Sequence, residues 1–315
     1  MLFSHLRHMS EIETYCASAT KKHDYDRFLI TLFAKSEIRE DLYSLYAFNH
    51  EVAKIREAVS EPMLGEIRLQ WWREAIEGIA EGKPRNHEVV LPLNAAFHRH
   101  GLTADMFMRV IDARAADIYD ENPAELSDFE SYLGNTSGNL MEIAAWMLGE
   151  REQRVLSLTH DLGLVWGLIG TLRALRYQIS LNKLSLPQDL LDEYGVSKRE
   201  LFSMEATDGL RAMVGALCQN AERYLKQIAD EKSTLSKDVR SLFLLTMRKQ
   251  ACFLASAGYF SRLFSVSSNH TARASKARFD LSGFLSLRLI FTIRPSNSCF
   301  FCSSGGIMPK LTFIG

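Results

Sequence analysis

The chain has 315 residues, 37 Lys+Arg against 38 Asp+Glu, and 47% hydrophobic side chains. Wholesale disorder and fibrous repeats are excluded, and there is enough chain to bury a sizeable core. The net charge of −1 offers no basic stripe for nucleic acid.

In chain order, helical periodicity dominates. Ser36 is placed to cap a helix over 36–61, with Glu37 and Glu40 near its start and an apolar series from Ile38 to Val59. Pro62 stops it. A second helix is predicted over 63–81, with Gly82-Lys83-Pro84 as its end, and a third over 103–119. Ser127 with Glu130 reads as a capping box that opens a helix towards Leu148, closed by Gly149. Residues 151–180 form a long apolar helix, a short segment begins at 186–189, and 206–229 and 236–264 give two more helices. No stretch alternates convincingly as a strand. These elements predict one all-α domain, an antiparallel bundle with its site between facing helices.

The average charge hides two compositions. Residues 265–315 carry six basic side chains, one acid and ten serines; the other 264 residues carry 31 basic and 37 acidic, so +5 balances −6. The predicted organisation is an extension over 1–13, a helical domain over 14–264, and a serine-rich basic tail over 265–315 that reads as out of frame or recently altered. The N-terminus lacks the apolar core of a signal peptide. The longest apolar runs, 162–172 and 281–293, are shorter than the ~20 residues of a membrane helix. Five scattered cysteines fit reduced thiols in a cytosolic setting. Cys299 and Cys302 form a CxxC without a second pair or a nearby histidine to complete a zinc site.

No phosphate-binding loop or dinucleotide fingerprint is present. Gly163, Gly167 and Gly170 lie inside an apolar helical run and read as a surface for close helix approach. Glu57 with Glu61, and Asp117 with Glu121, are i, i+4 pairs that read as solvated faces before metal sites. His98 and His100 flank Arg99 and are expected on different sides of a helix. No histidine has a visible serine or cysteine partner for nucleophilic catalysis. The four tryptophans read as core. Arg173 and Arg176 stand at i, i+3 after an apolar run, and either reach the surface or face a polar cavity.

Three segments resemble the squalene/phytoene synthase family, all-α isoprenoid synthases that join two prenyl diphosphates head to head. LYAFNHEVAKIRE (45–57) resembles the family's LYAFCRxxDDxxD. YLGNTSGNL (132–140) resembles its YxxxxAGxV. Residues 163–189 align without a gap to GxAxQLxNxxRDxxEDxxxGRxYLPxD. The resemblance implies an isoprenoid-synthase-like antiparallel helix bundle with a central cavity. It also implies an activity in which two aspartate-rich motifs hold Mg²⁺ against the substrate diphosphates.

The departures fall on those motifs. The paired aspartates correspond to Ala53 and Lys54, leaving Glu57 as the sole matching carboxylate. The acidic positions of the second motif correspond to Ala174, Tyr177 and Gln178, and its Gln and Asn to Gly167 and Gly170; Arg173 and Leu186-Pro187…Asp189 are retained. The expectation is therefore no catalytic residue, no metal and no cofactor, with Mg²⁺ required only if the chain is a prenyl transferase using other ligands. The candidate cavity or anion-binding set is Arg39, Lys54, Glu57, Tyr132, Arg173 and Arg176. A narrower resemblance, over 47–61 and 65–73, is to a divergent branch of the family that serves respiratory complex I assembly. It implies a non-catalytic helper with complex I subunits or assembly intermediates as partners. The expected location is cytoplasmic, or peripheral on an inner membrane, at the matrix face in a mitochondrion. An isoprenoid or anionic lipid is the other implied ligand, and nucleic acid is not.

Overall fold

Leu42, Leu45, Phe48 and Val52 are all buried, so the periodicity read over 36–61 does face a core. Fully burying a large apolar side chain of this kind stabilises by about 1.5–3 kcal/mol. The computed structural model describes residues 13–120, 122–181, 183–203, 207–231 and 235–244, with the backbone of 276–278 and 290–292. Its helices are α1 (Tyr15–His23), α2 (Tyr25–Thr31), α3 (Ser36–Ala53), α4 (Pro62–Ala80), α5 (Val90–His100) and α6 (Ala104–Ile118). They continue with α7 (Leu126–Leu133), α8 (Asn139–Met147), α9 (Gln153–Ser180), α10 (Gln188–Glu193), α11 (Lys198–Phe202) and α12 (Asp208–Glu231).

The chain divides into two compact units, Met1–Val266 and Ser267–Gly315. The first is an all-α bundle. In it α1 and α5 pack on α3, α4 packs on α6, and α8 and α12 pack on α9. In the second unit, Lys276–Arg278 pairs antiparallel with Ile290–Thr292, a short ladder that the alternation pattern did not reveal. The CxxC at Cys299 and most of the predicted 236–264 helix lie outside the described residues.

Several predicted boundaries shift for identifiable reasons. The helix expected over 36–61 ends at Ala53 and tightens into a 3-10 turn, Lys54–Ala58. Ser36 does not cap it; its hydroxyl donates to Glu37 at 2.8 Å, and Lys35 occupies the cap position. The capping box lies two residues before the predicted one: Glu125 and Asp128 exchange the cap bonds, and Ser127 donates to the Glu125 carboxylate instead. The expected helix towards Leu148 is interrupted by a π-turn, Gly134–Gly138, which joins α7 to α8. Gly149, with φ at 93°, closes α8 as predicted, because a left-handed residue there has no Cβ penalty.

The long helix α9 holds this arrangement together. Although the uninterrupted apolar run 162–172 is short, the whole helix of 28 residues is long and apolar enough to cross a bilayer, which corrects the reading from the run alone; 67% of its most apolar window is buried in the bundle. A Cβ on Gly163 would lie 2.2 Å from the Ser137 carbonyl oxygen, and one on Gly167 3.0 Å from the Ser137 hydroxyl. These two glycines therefore do allow close approach of α9 to the π-turn. Gly170 has open space instead. Of the tryptophans, Trp72 and Trp166 are buried, while Trp71 and Trp146 are half-buried.

Candidate functional site

The two motif segments come towards one another at the end of the bundle where α3 gives way to its 3-10 turn. Arg56, in that turn, pairs with Asp120, just past the end of α6. Lys183, just past α9, reaches the same carboxylate at 3.4 Å. Asp120 thus ties three elements together. Its backbone is left-handed, with φ at 53°, a conformation that aspartate tolerates better than most side chains. The hydrogen bond from Arg56, reinforced by the Lys183 charge, holds the Asp120 carboxyl below its usual range.

Beside this bridge lies a second polar network. Tyr132 donates to Asp117 at 2.8 Å, while one Arg114 nitrogen donates to the Tyr132 oxygen at 2.6 Å and to Asp117 at 3.0 Å. Burial, foremost, pushes the Tyr132 phenol up. The carboxylate of Asp117 is engaged by these neighbours while staying partly open to solvent; Glu121, its partner in the pair reading, lies outside the described residues. Glu57 and Glu61 do not share a helix face, because the 3-10 turn ends between them, but both are exposed as expected.

The remaining candidates are distributed rather than convergent. Arg39 donates to the carbonyls of Ala34 and Leu32, each at 3.0 Å, and so satisfies the end of α2. Lys54 pairs with Glu51 one turn earlier. Arg173 is exposed and forms no ion pair with a described residue. Arg176 is half-buried and engaged by neighbouring groups. Asp189, retained from the third segment, accepts from the backbone N–H of Leu126 at 3.0 Å, which fixes the start of α7.

The carboxylates at this end, Asp117 and Asp120, are each held by basic side chains. A magnesium site wants oxygen ligands converging from separate elements. The segments that resemble the two motifs have Ala53 and Lys54 in one and Ala174, Tyr177 and Gln178 in the other, and Glu57 is exposed. Among the described residues, no three His, Cys, Asp or Glu side chains are grouped to hold a metal ion.

Residues that sequence reasoning passed over are more deeply engaged. Arg27, on α2, is 4% exposed; it pairs with Asp24 at 2.7 Å and lies over the rings of Tyr46 and Trp166. Its Nε and Nη2, and the Tyr46 hydroxyl, make no hydrogen bond within the described residues. Asp41, on α3, accepts from Arg99 at 2.6 and 2.7 Å and lies 2.7 Å from His100 Nε2. Arg99 and His100 thus converge on one carboxylate. A buried aspartate or arginine within an otherwise apolar helix is the one signal that could have found them, since such groups need partners.

Comparison with known proteins agrees with this architecture. The chain is 28% identical over 233 residues to NADH dehydrogenase (ubiquinone) complex I, assembly factor 6, of Mus musculus, covering 74% of this chain and 70% of that protein. It is 22% identical over 221 residues to a presqualene diphosphate synthase of Sinorhizobium fredii, covering 69% of this chain and 76% of that one. The fold matches the crystal structure of squalene synthase HpnC from Alicyclobacillus acidocaldarius with a TM-score of 0.71 at 17% identity. That match covers 78% of this chain and 92% of the other. The squalene/phytoene synthase family model matches residues 20–256, and the chain belongs to that family.

Proposed function

We propose that this chain is a non-catalytic member of the family that assists the assembly of respiratory complex I. It acts peripherally at the matrix face of the inner membrane, or at the cytoplasmic face in a bacterium, and its partners are complex I subunits or assembly intermediates. What supports the reading is that the segments resembling the family's aspartate-rich motifs carry Ala53 and Lys54 in one and Ala174, Tyr177 and Gln178 in the other. Magnesium is held through oxygen ligands, and Glu57 alone, exposed on a 3-10 turn, is a poor cage for it. Without the metal, several kcal/mol of charge stabilisation is missing from diphosphate departure. The similarity to a protein named as a complex I assembly factor supports the same reading. No cofactor is required.

An active farnesyl or geranylgeranyl diphosphate transferase is the competing reading, supported by the similarity to a presqualene diphosphate synthase. Incubation of purified protein with either diphosphate and Mg²⁺ separates the two. The expected result is no diphosphate release above a no-protein blank. Release that disappears in Glu57→Gln would sink the non-catalytic reading.

A metal-free site for an anionic lipid or prenyl diphosphate is a further reading, favoured by the exposed Arg173 beside a motif that has lost its acids. Arginine can bind phosphate directly. Calorimetry with prenyl diphosphate in EDTA tests it, and equal affinity for wild type and Arg173→Ala would count against the site.

A further inference from the structure

Helix α4 buries one face and leaves an apolar ridge on the other. Gly65, Leu69, Trp72, Ile76 and Ile79 face the core. Met63 and Ile67, 72% and 59% exposed, continue along the outer face to Trp71. These positions are spaced i, i+4, i+8, so the ridge runs about 12 Å along two turns. The surface is shallow and open here, and Gln70, Arg73, Glu66 and Glu74 of the same helix flank Ile67 and Trp71.

Two features separate this ridge from scattered surface apolar residues. Trp71 is held rigid: its ring stands edge-on to Trp72 at 5.0 Å, packs on His87 at 5.2 Å, and carries the Arg85 guanidinium 5.2 Å above it. A fixed, half-buried tryptophan is the kind of anchor that dominates interfaces. The charges along the ridge are also one-sided. Arg73 is committed to Asp112 and Arg85 to Glu74. Glu61, Glu66 and Glu77 form no ion pair with a described residue, and only Arg68 among the nearby cations is likewise uncommitted.

The geometry points to α4 as a docking surface for an amphipathic helix of a partner protein, with an apolar face bordered by lysine or arginine. A ridge of two turns on an exposed helix face suits side-by-side packing of a partner helix, and the acidic border selects a basic one. An acidic border repels the anionic surface of an inner membrane, and it repels a second copy of itself across a twofold axis. The inference rests on the proposed assembly role only for the partner's identity.

Two synthetic helical peptides with the same leucine ridge, one flanked by lysines and one by glutamates, test the surface on the full chain by calorimetry. The lysine-flanked peptide is expected to bind at least tenfold more tightly. Ile67→Glu, an exposed change checked by circular dichroism, is expected to abolish that binding, and Glu66→Lys/Glu77→Lys to reverse the preference. Equal affinity for the two peptides, or binding indifferent to Ile67→Glu, overturns the proposal. So does Ile67-dependent binding to cardiolipin vesicles or Ile67-dependent self-association in light scattering. In cells lacking the gene, wild type that restores complex I while a stably expressed Ile67→Glu does not supports the surface. Restoration by both rejects the surface and leaves the assembly role standing. Failure of wild type itself rejects the role, and the peptide comparison then decides the surface alone.

Discussion

The imidazole rings of His23, at the end of α1, and His50, on α3, stack 3.9 Å apart and 13° from parallel. Burial lowers His50 to about 4, with His23 and Lys54 adding to it, and burial also lowers His23. Two charged rings cannot share that geometry cheaply, so the fold holds both neutral. In the unfolded chain they titrate near ~6.5. Between that value and about 4 the unfolded state binds more protons, so stability is full above ~6.5 and falls as the pH drops through the window. His50→Gln is expected to lose less melting temperature than wild type between pH ~7 and ~4.5. At this domain size about 2–4 °C corresponds to each kcal/mol. Parallel slopes for the two proteins would contradict this account.

The glycines of α9 make opposite predictions. Gly163→Ala drives a methyl group into the backbone of Ser137 and Gly138, which cannot yield as a side-chain tip can. A cost of roughly 1–3 kcal/mol is expected. Gly170→Ala meets nothing within 4 Å and removes a helix-interior glycine, so it should stabilise by roughly 0.5–1 kcal/mol. Urea unfolding of the two variants checks both signs.

Asp41 and Arg99 are unequal partners. The aspartate side chain is 3% exposed and the arginine side chain 54%. Asp41→Ala removes every acceptor that Arg99 and His100 use and is expected to cost about 1.5–3 kcal/mol. Arg99→Ala leaves the His100 contact and removes a solvent-screened partner, so about 1 kcal/mol or less is expected. Denaturant midpoints at fixed slope give the comparison.

Periodicity revealed α3, α4, α6, α9 and α12, and the α7–α8 stretch as one helix, because each carries a long run of apolar residues at helical spacing. Shorter α1 and α2 escaped notice because buried Arg27 and Thr20 stand where apolar residues would complete a stripe. The π-turn packs against α9, more than twenty residues further on, a contact that local spacing does not display. The same holds at the site. Arg56, Asp120 and Lys183 lie 64 and 63 positions apart along the chain, so only the folded chain joins them. The segments that resemble the family motifs supply Arg56 and Lys183 to this bridge, but Arg39 lies at the opposite end of α3, bonded to the Ala34 and Leu32 carbonyls, and Tyr132 serves Asp117 and Arg114, which a motif position alone does not disclose.

Glu57 offers a direct check on chemistry. If it has no role in holding a metal, Glu57→Gln should leave thermal stability in excess Mg²⁺ unchanged, as it does without the ion. The expected difference in melting temperature is below about 1 °C, since the side chain is exposed. A Mg²⁺-dependent rise in wild type that the variant lacks would assign Glu57 to a metal site.

The central claim is an assembly role without catalysis, and NADH:ubiquinone oxidoreductase activity in membranes from cells lacking this gene tests it most directly. The account predicts that activity is largely lost, and that wild type and Glu57→Gln restore it equally. Normal activity in the deletion, or restoration by wild type but not by Glu57→Gln, would contradict it.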